Sequence, residues 1–501
     1  MTTQSAILIA LIIYACLMLS VSIYWMKKVK IATDYLLGGR ELSFWILTGT
    51  ITATGIGTGV IIGGSGLAYQ HGWAGCAYPI GLGFGTILTG LIFAKMRRYK
   101  FMTIVEEVSA YYAGNRAVVE FSYIVMFVSN LCWLTVQIMG GAAVLSAVTD
   151  LPISICTILS GFITATISIP GGLKSVVYTD FLQAIILLGG FGFLTETILN
   201  NSGGIAGLRN AVPHEYFSFL GVSSLGQWAV ISLILTLILS VISDPTRRQT
   251  MFSASGENSA KKSMIIAGTL EVIFSVVIGI VGMYAYKLNM HLSSPDQCVP
   301  WLIANVLPPW VAAVVVVSIA SGIFSAANGA AISTGTFFVR HIYPLITGHY
   351  AKQPLVAIRS TLALAFVIST AIALRAESIV GFIIKFLPLT ISGLSVIILF
   401  GRFWKRGTWQ GALAALIVTP IVSLVILLLP HITGFWENPI IPATIVGAVA
   451  FIIVSLATPQ NKLDFEDIVE RLHLERKAIE GTGKQVVIPK LMKDFLEEKI
   501  N

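Results

Sequence analysis

Apolar runs of roughly twenty residues, separated by short polar breaks, recur along almost the whole chain. A helix crossing a bilayer core needs roughly 20 such residues. Only helices or closed barrels satisfy their own backbone there. The pattern predicts about thirteen spans, near 5–26, 43–70, 75–94, 118–148, 152–169, 173–198, 224–243, 263–286, 309–339, 355–374, 378–400, 409–430 and 437–457. The expected class is an all-α membrane protein, with one transmembrane unit over 1–457 and a charged cytoplasmic tail over 458–501. The first run lacks a basic start, exceeds the length of a signal-peptide core and is followed by Lys27, Lys28 and Lys30, so it reads as a retained helix.

Two runs, 118–148 and 309–339, are longer than the others, and each is third in a set of five: 43–198 and 224–400. Each set also opens on an interrupted helix. In the first, Gly55, Gly57 and Gly59 alternate over five positions; in the second, Asp244-Pro245 ends the apolar part. Each glycine costs a helix about 1 kcal/mol against alanine, so unwinding is expected at 55–59. Gly63 and Gly66 read as close-packing positions. Five is odd, so two copies must be inverted, an arrangement that transporters use to hold ion and solute at broken helices. The expected architecture is an inverted 5+5 core with one extra N-terminal and two extra C-terminal helices.

Composition agrees: 55% of residues are hydrophobic and 11% charged, against about a quarter charged in soluble domains. The net charge of +8 lies between apolar runs rather than on one face, which excludes nucleic acid as the reason for it. With the N-terminus outside, 19 Lys and Arg fall on the cytoplasmic side, among them Arg247, Arg248 and Arg340, against three opposite: Arg209, Lys287 and Arg375. The positive-inside rule then fixes the orientation, N-terminus out and C-terminus cytoplasmic; the membrane expected is the plasma (cell inner) membrane. The tail holds a possible amphipathic helix near Phe465 to Ile479 and reads as a solvated extension. The five cysteines show no metal-pair spacing. His71, His291 and His431 read as loop or helix-end residues, and no nucleophile, base and orienter stand together. An enzyme is not expected, nor any cofactor.

Three stretches resemble the sodium:solute symporter family: Asp34-Tyr-Leu-Leu-Gly-Gly-Arg40, Gly171-Gly-Leu-Lys-Ser-Val-Val-Tyr-Thr-Asp180-Phe-Leu-Gln183 and Gly401-Arg-Phe-Trp-Lys-Arg406. The resemblance covers nearly the whole chain. It implies a leucine-transporter-type fold, alternating access and import driven by Na+. It also implies a Na+ site from the carbonyls of Ala53, Ile56 and Gly322 and the hydroxyl of Ser325. The position of a second hydroxyl is Ala326, which offers no oxygen, and a desolvated cation needs protein oxygens in place of water. A second Na+ is implied near Asp180, with Asn328 as a partner; the plain alternative for Asp180 is a structural carboxylate.

Glu271 stands eight residues into its run, about 12 Å deep, where a carboxylate is costly and marks function. By resemblance, sugar-carrying members place a lysine there, and their neighbouring polar positions map to Val60 and Asp244, so a sugar is disfavoured. Lys385 could neutralise Glu271, bind a carboxylated solute or snorkel outward. Asp244 reads either as a polar solute or inner-gate position, or as the start of a helix after a break. Candidate solute contacts are therefore Gly57, Val60, Asp244, Glu271 and Lys385. The expected partners are a small organic solute, Na+ and the bilayer. A proton-coupled symporter on the same fold is the alternative, and a solute sensor a further one.

Overall fold

The computed structural model describes residues 3–27, 40–149, 151–169, 172–349, 351, 353–429 and 438–482. Asp34 to Gly39, Gly171, His431 and the tail after 482 lie outside the described residues, and so do three of the counted basic residues, Lys28, Lys30 and Lys352. Apart from one isolated bridge between Leu42 and Ala254, every regular element described is helical. Ten helices are long and apolar enough to cross a membrane, or eleven if the bent pair Gln227–Ile242 and Pro245–Phe252 counts as one.

In chain order the helices are α1 (Thr3–Met26), α2 (Phe44–Gly55), a π-helical turn (Gly59–Gly64) running into α3 (Ser65–His71), α4 (Ala77–Phe93), α5 (Ile104–Tyr111), α6 (Arg116–Thr149), α7 (Ile153–Ser168) and α8 (Gly172–Ser202). There follow α9 (Gln227–Ile242), α10 (Pro245–Phe252), α11 (Glu257–Leu288), α12 (Pro309–Phe337), α13 (Pro354–Ala373), α14 (Ile379–Phe403), α15 (Trp409–Leu428), α16 (Ile440–Ala457) and α17 (Phe465–Thr482). The helical stretch from Gly59 to Tyr99 is 41 residues, about 60 Å if straight and too long for one crossing. It reverses at Gly72, whose φ of 59° suits glycine, and α4 returns beside the π-turn with Tyr78 against Gly59.

Both long helices face the broken segment. α12 packs on α2, α6 and α8, and α6 packs on the π-turn. A fully buried cluster that includes Ile56, Val60, Ile61 and Ile62 joins them to α11 and α14. The break is thereby enclosed on all sides by helices rather than by lipid.

At the end of the molecule that carries Lys95, Arg97 and Arg98, the short α5 is fixed by reciprocal caps. Thr103 Oγ1 accepts from Glu106 N–H at 3.3 Å, and Glu106 Oε2 accepts from Met102 N–H at 2.9 Å. α17 lies on α5, with Ile468, Val469 and Leu472 buried and Phe465 in edge contact with Tyr99 and Phe101. The expected amphipathic helix is thus docked on its apolar side instead of standing in solvent. Three of the basic residues counted for orientation are also inside: Arg247 and Arg248 are buried, and Arg340 is nearly so in an ion pair with Glu106. Such side chains cannot reach headgroups. The count of 19 therefore falls to 16 against three.

Candidate functional site

The interruption expected at 55–59 is present at Ile56 and Gly57. Ile56 takes φ −94° and ψ 60°, outside the helical range. Its N–H still bonds Thr52 O at 3.0 Å, while the N–H groups of Val60 and Ile61 both bond Gly57 O at 3.1 and 3.0 Å. The Ile56 carbonyl therefore loses its usual donor, the N–H of Val60. Thr54 loses its own in the same way, because the Thr58 N–H is turned to Gln137 Oε1 on α6 at 3.0 Å. Free carbonyls at a buried break are what a cation needs.

The break sits against α12. A Cβ on Gly322 would collide with the Ile56 carbonyl oxygen, so only glycine lets the two backbones approach this closely. Ser325 Oγ lies 3.3 Å from Thr54 Oγ1, and Ala326 faces Gly57. Ala53, Ile56, Gly322 and Ser325 are all buried. The fold thus brings the elements bearing these four residues together.

Asp180 and Asn328 are placed apart. Asp180 is wholly buried, with the Ser325 side chain as the one donor group close to its carboxylate among the described residues. It lines a small cavity with Thr50, Thr54, Thr246, Gln249 and Ser333. Asn328 instead accepts a hydrogen bond from Ser168 Oγ at 2.5 Å and lines a different cavity with Ser22, Thr179 and Gln183. Asp180 and Asn328 thus line different cavities, and the Asn328 amide oxygen is engaged by Ser168.

A third cavity, of about 50 Å³, lies at the break itself, lined by Gly55, Gly57, Val60, Tyr78, Trp133, Gln137, Asp244 and Arg247 among others. That volume holds one or two waters, so an organic solute enters only when the surrounding helices part. Asp244 serves as N-cap of α10, accepting from Thr246 N–H at 2.8 Å, with Pro245 at the first helical position. The axis bends by 43° here. Asp244 is thus the start of a helix after a break, and it also lines the cavity.

Glu271 is 1% exposed and stands behind Gly55 and Arg247, both of which line the cavity. A Cβ at Gly55 would run into its carboxylate. Arg247 Nη1 donates to Glu271 Oε1 and Oε2 at 3.0 and 3.3 Å, and Thr86 Oγ1 donates to Oε2 at 2.8 Å. Arg247 Nη1 also touches Thr86 Oγ1, and its Nε is 3.5 Å from Asp244 Oδ2. Glu271 is neutralised by Arg247, then, and not by Lys385. Lys385 is exposed next to the exposed Phe386, as a snorkelling lysine would be.

Arg247, Thr86, Tyr78 and Gln137 are site residues that the hydropathy pattern passes over. Gln137 carried a usable signal, being an amide deep in the longest apolar run. Arg247 carried another: it falls in the first turn after a broken helix, three residues from Asp244. Among the described residues no three His, Cys, Asp or Glu groups gather as a metal site.

The family model for the sodium:solute symporter family matches residues 35–419. Among curated relatives, the sodium/pantothenate symporter of Escherichia coli (strain K12) is 24% identical over 90% of this chain and 96% of its own length. The high affinity choline transporter 1 of Homo sapiens is 25% identical over 75% of this chain and 68% of its own. Among solved structures, a Na+-coupled sialic acid symporter in a substrate-bound outward-open state superposes with a TM-score of 0.78 at 18% identity, over 91% of this chain and 99% of that one. At that identity the likeness concerns the fold.

Proposed function

The chain belongs to the sodium:solute symporter family, and from that premise we propose that it imports a small organic solute by alternating access, driven by the Na+ gradient. As a member of that family it is a membrane transporter and not an enzyme. The observation that carries the proposal is the broken helix: the Ile56 carbonyl faces Gly322 on α12, and one turn along the same helix Ser325 stands between Thr54 and a buried Asp180 that no cationic side chain meets among the described residues. Buried oxygens without donors are expensive unless a cation meets them.

In this reading one Na+ is held by the carbonyls of Ala53, Ile56 and Gly322 with Ser325, and Thr54 stands where it can offer a further oxygen in place of the one missing at Ala326. A second cation meets Asp180. The solute sits at the cavity lined by Gly57, Val60 and Asp244. The chain crosses the plasma membrane thirteen times, as two inverted five-helix repeats (43–198 and 224–400) flanked by α1, α15 and α16. Its N-terminus lies outside and its C-terminus in the cytoplasm.

A proton-coupled importer is the second reading, favoured by one observation. Asp180 has no basic partner among the described residues and can carry a proton as readily as meet a cation. Uptake of a solute panel into proteoliposomes, with Na+ and H+ gradients imposed separately, tests both. The first reading requires accumulation on the Na+ gradient alone, and loss of that stimulation in Ser325→Ala and Asp180→Asn. Retained Na+ stimulation in both variants would remove these sites from the account.

A further inference from the structure

Hydrogen bonding around the cavity at the break leaves donors over. Of its acceptors, Glu271 is met by Arg247 and Thr86, Asp244 Oδ1 by the Thr246 N–H and Gln137 Oε1 by the Thr58 N–H, while the Thr54 carbonyl and Asp244 Oδ2 stay open. Three donors on its wall are open as well. The Tyr78 hydroxyl is buried, abuts Gly59 and has no hydrogen-bond partner. Gln137 Nε2 stands beside Gly57, its hydrogens unused because the other end of the amide is fixed on Thr58. Arg247 Nη2 lies beside Gly55 and donates to nothing among the described residues, while Nη1 of the same group serves Glu271. These donors come from α4, α6 and α10, and all three residues line one cavity.

We propose that the solute supplies the missing acceptors with a carboxylate group, held by Tyr78, Gln137 and Arg247. A carboxylate offers about four lone-pair sites and no hydrogen, so it can take three converging donors at once, and charge-assisted bonds of this kind are the stronger ones. An alcohol fits worse, because its single neutral oxygen has two lone pairs for three donors and makes no charge-assisted bond. The two acids nearby do not repel the anion at full strength, because Arg247 lies against both. Cation binding at the adjacent carbonyls adds positive charge before the solute arrives.

This inference rests on the importer reading, and the test separates the two. Full-length protein in proteoliposomes is challenged with matched pairs that differ in the carboxylate: betaine and choline, pantothenate and panthenol, gluconate and glucose. A wider set of carboxylates and neutral solutes is then used as competitors of any solute taken up. The acid is expected to bind at least about ten-fold more tightly than its neutral or alcohol partner, and Tyr78→Phe is expected to shrink that ratio about five-fold. Betaine against pantothenate tells a zwitterion from a simple anion. Gradient-driven uptake in which the carboxylate-free partner binds equally well, or in which no carboxylate competes, overturns this inference alone. Failure of every solute to respond to a Na+ or H+ gradient overturns the importer reading beneath it.

Discussion

Arg247 and Arg248 are neighbours on α10, and they serve opposite kinds of site. Arg248 is wholly buried. Its Nη1 pairs with Glu107 at 3.1 Å, its guanidinium lies 3.6 Å from the centre of the Phe93 ring, and Tyr111 donates to the same Glu107 at 2.7 Å. Aromatic side chains of α5 and α17 close over this pair. Burial pushes the Glu107 carboxyl above the usual carboxylate range, and Arg248 opposes that shift. Arg247 points the other way, into a cavity where the Tyr78 hydroxyl and the Gln137 amide nitrogen are without acceptors among the described residues. The site sealed by packed rings holds an internal ion pair; the other has donors unmet on a cavity beside a broken helix, which is why we propose it as the ligand site. One helix of eight residues joins them, so movement at the ligand site is mechanically tied to the sealed end.

The comparison can be broken at either arginine. The largest effect is expected from Gly55→Ala, whose methyl group meets the Glu271 carboxylate; uptake should fall by about 100-fold, as misplacements near 1 Å do at organised sites. Uptake kept within a few-fold would show that Glu271 and Arg247 need no fixed position. Next, Glu107→Leu leaves Arg248 buried without its partner and should cost about 3–5 kcal/mol of stability, read by thermal unfolding in detergent. Replacing both Glu107 and Arg248 with apolar residues should recover much of that loss. Further down, Phe465→Ala removes part of the ring cluster over α5 and should cost about 1–3 kcal/mol without changing the apparent affinity for solute. Lys385→Gln should change uptake less than about two-fold, as surface changes away from any site do. A large loss there would bring Lys385 back as a solute contact.

Much of this was legible in the residues. The alternating glycines announced a break, and the structure has one at Ile56 and Gly57. The long runs 118–148 and 309–339 became α6 and α12, and Asp244-Pro245 began a helix. What stayed hidden was direction across space. Hydropathy treats an arginine near a span end as a headgroup contact, so Arg247 and Arg248 were counted with the cytoplasmic charges although both are buried in ion pairs. Depth alone made Lys385 a partner for Glu271. Depth says nothing about which face of α14 carries it, and that face is exposed. Nor does the sequence show that the Asn328 amide oxygen is taken by Ser168. Tyr78 and Gln137 matter through hydrogen bonds they do not make, which no linear pattern records.

The most direct test of the central claim is the rate of solute accumulation in proteoliposomes under an inward Na+ gradient at equal pH, compared between wild-type protein and Asp180→Asn. Accumulation in the wild type, with Na+ stimulation reduced at least about ten-fold in the variant, is the result the account predicts. Accumulation driven by a pH gradient alone, with Na+ without effect on either protein, would contradict it.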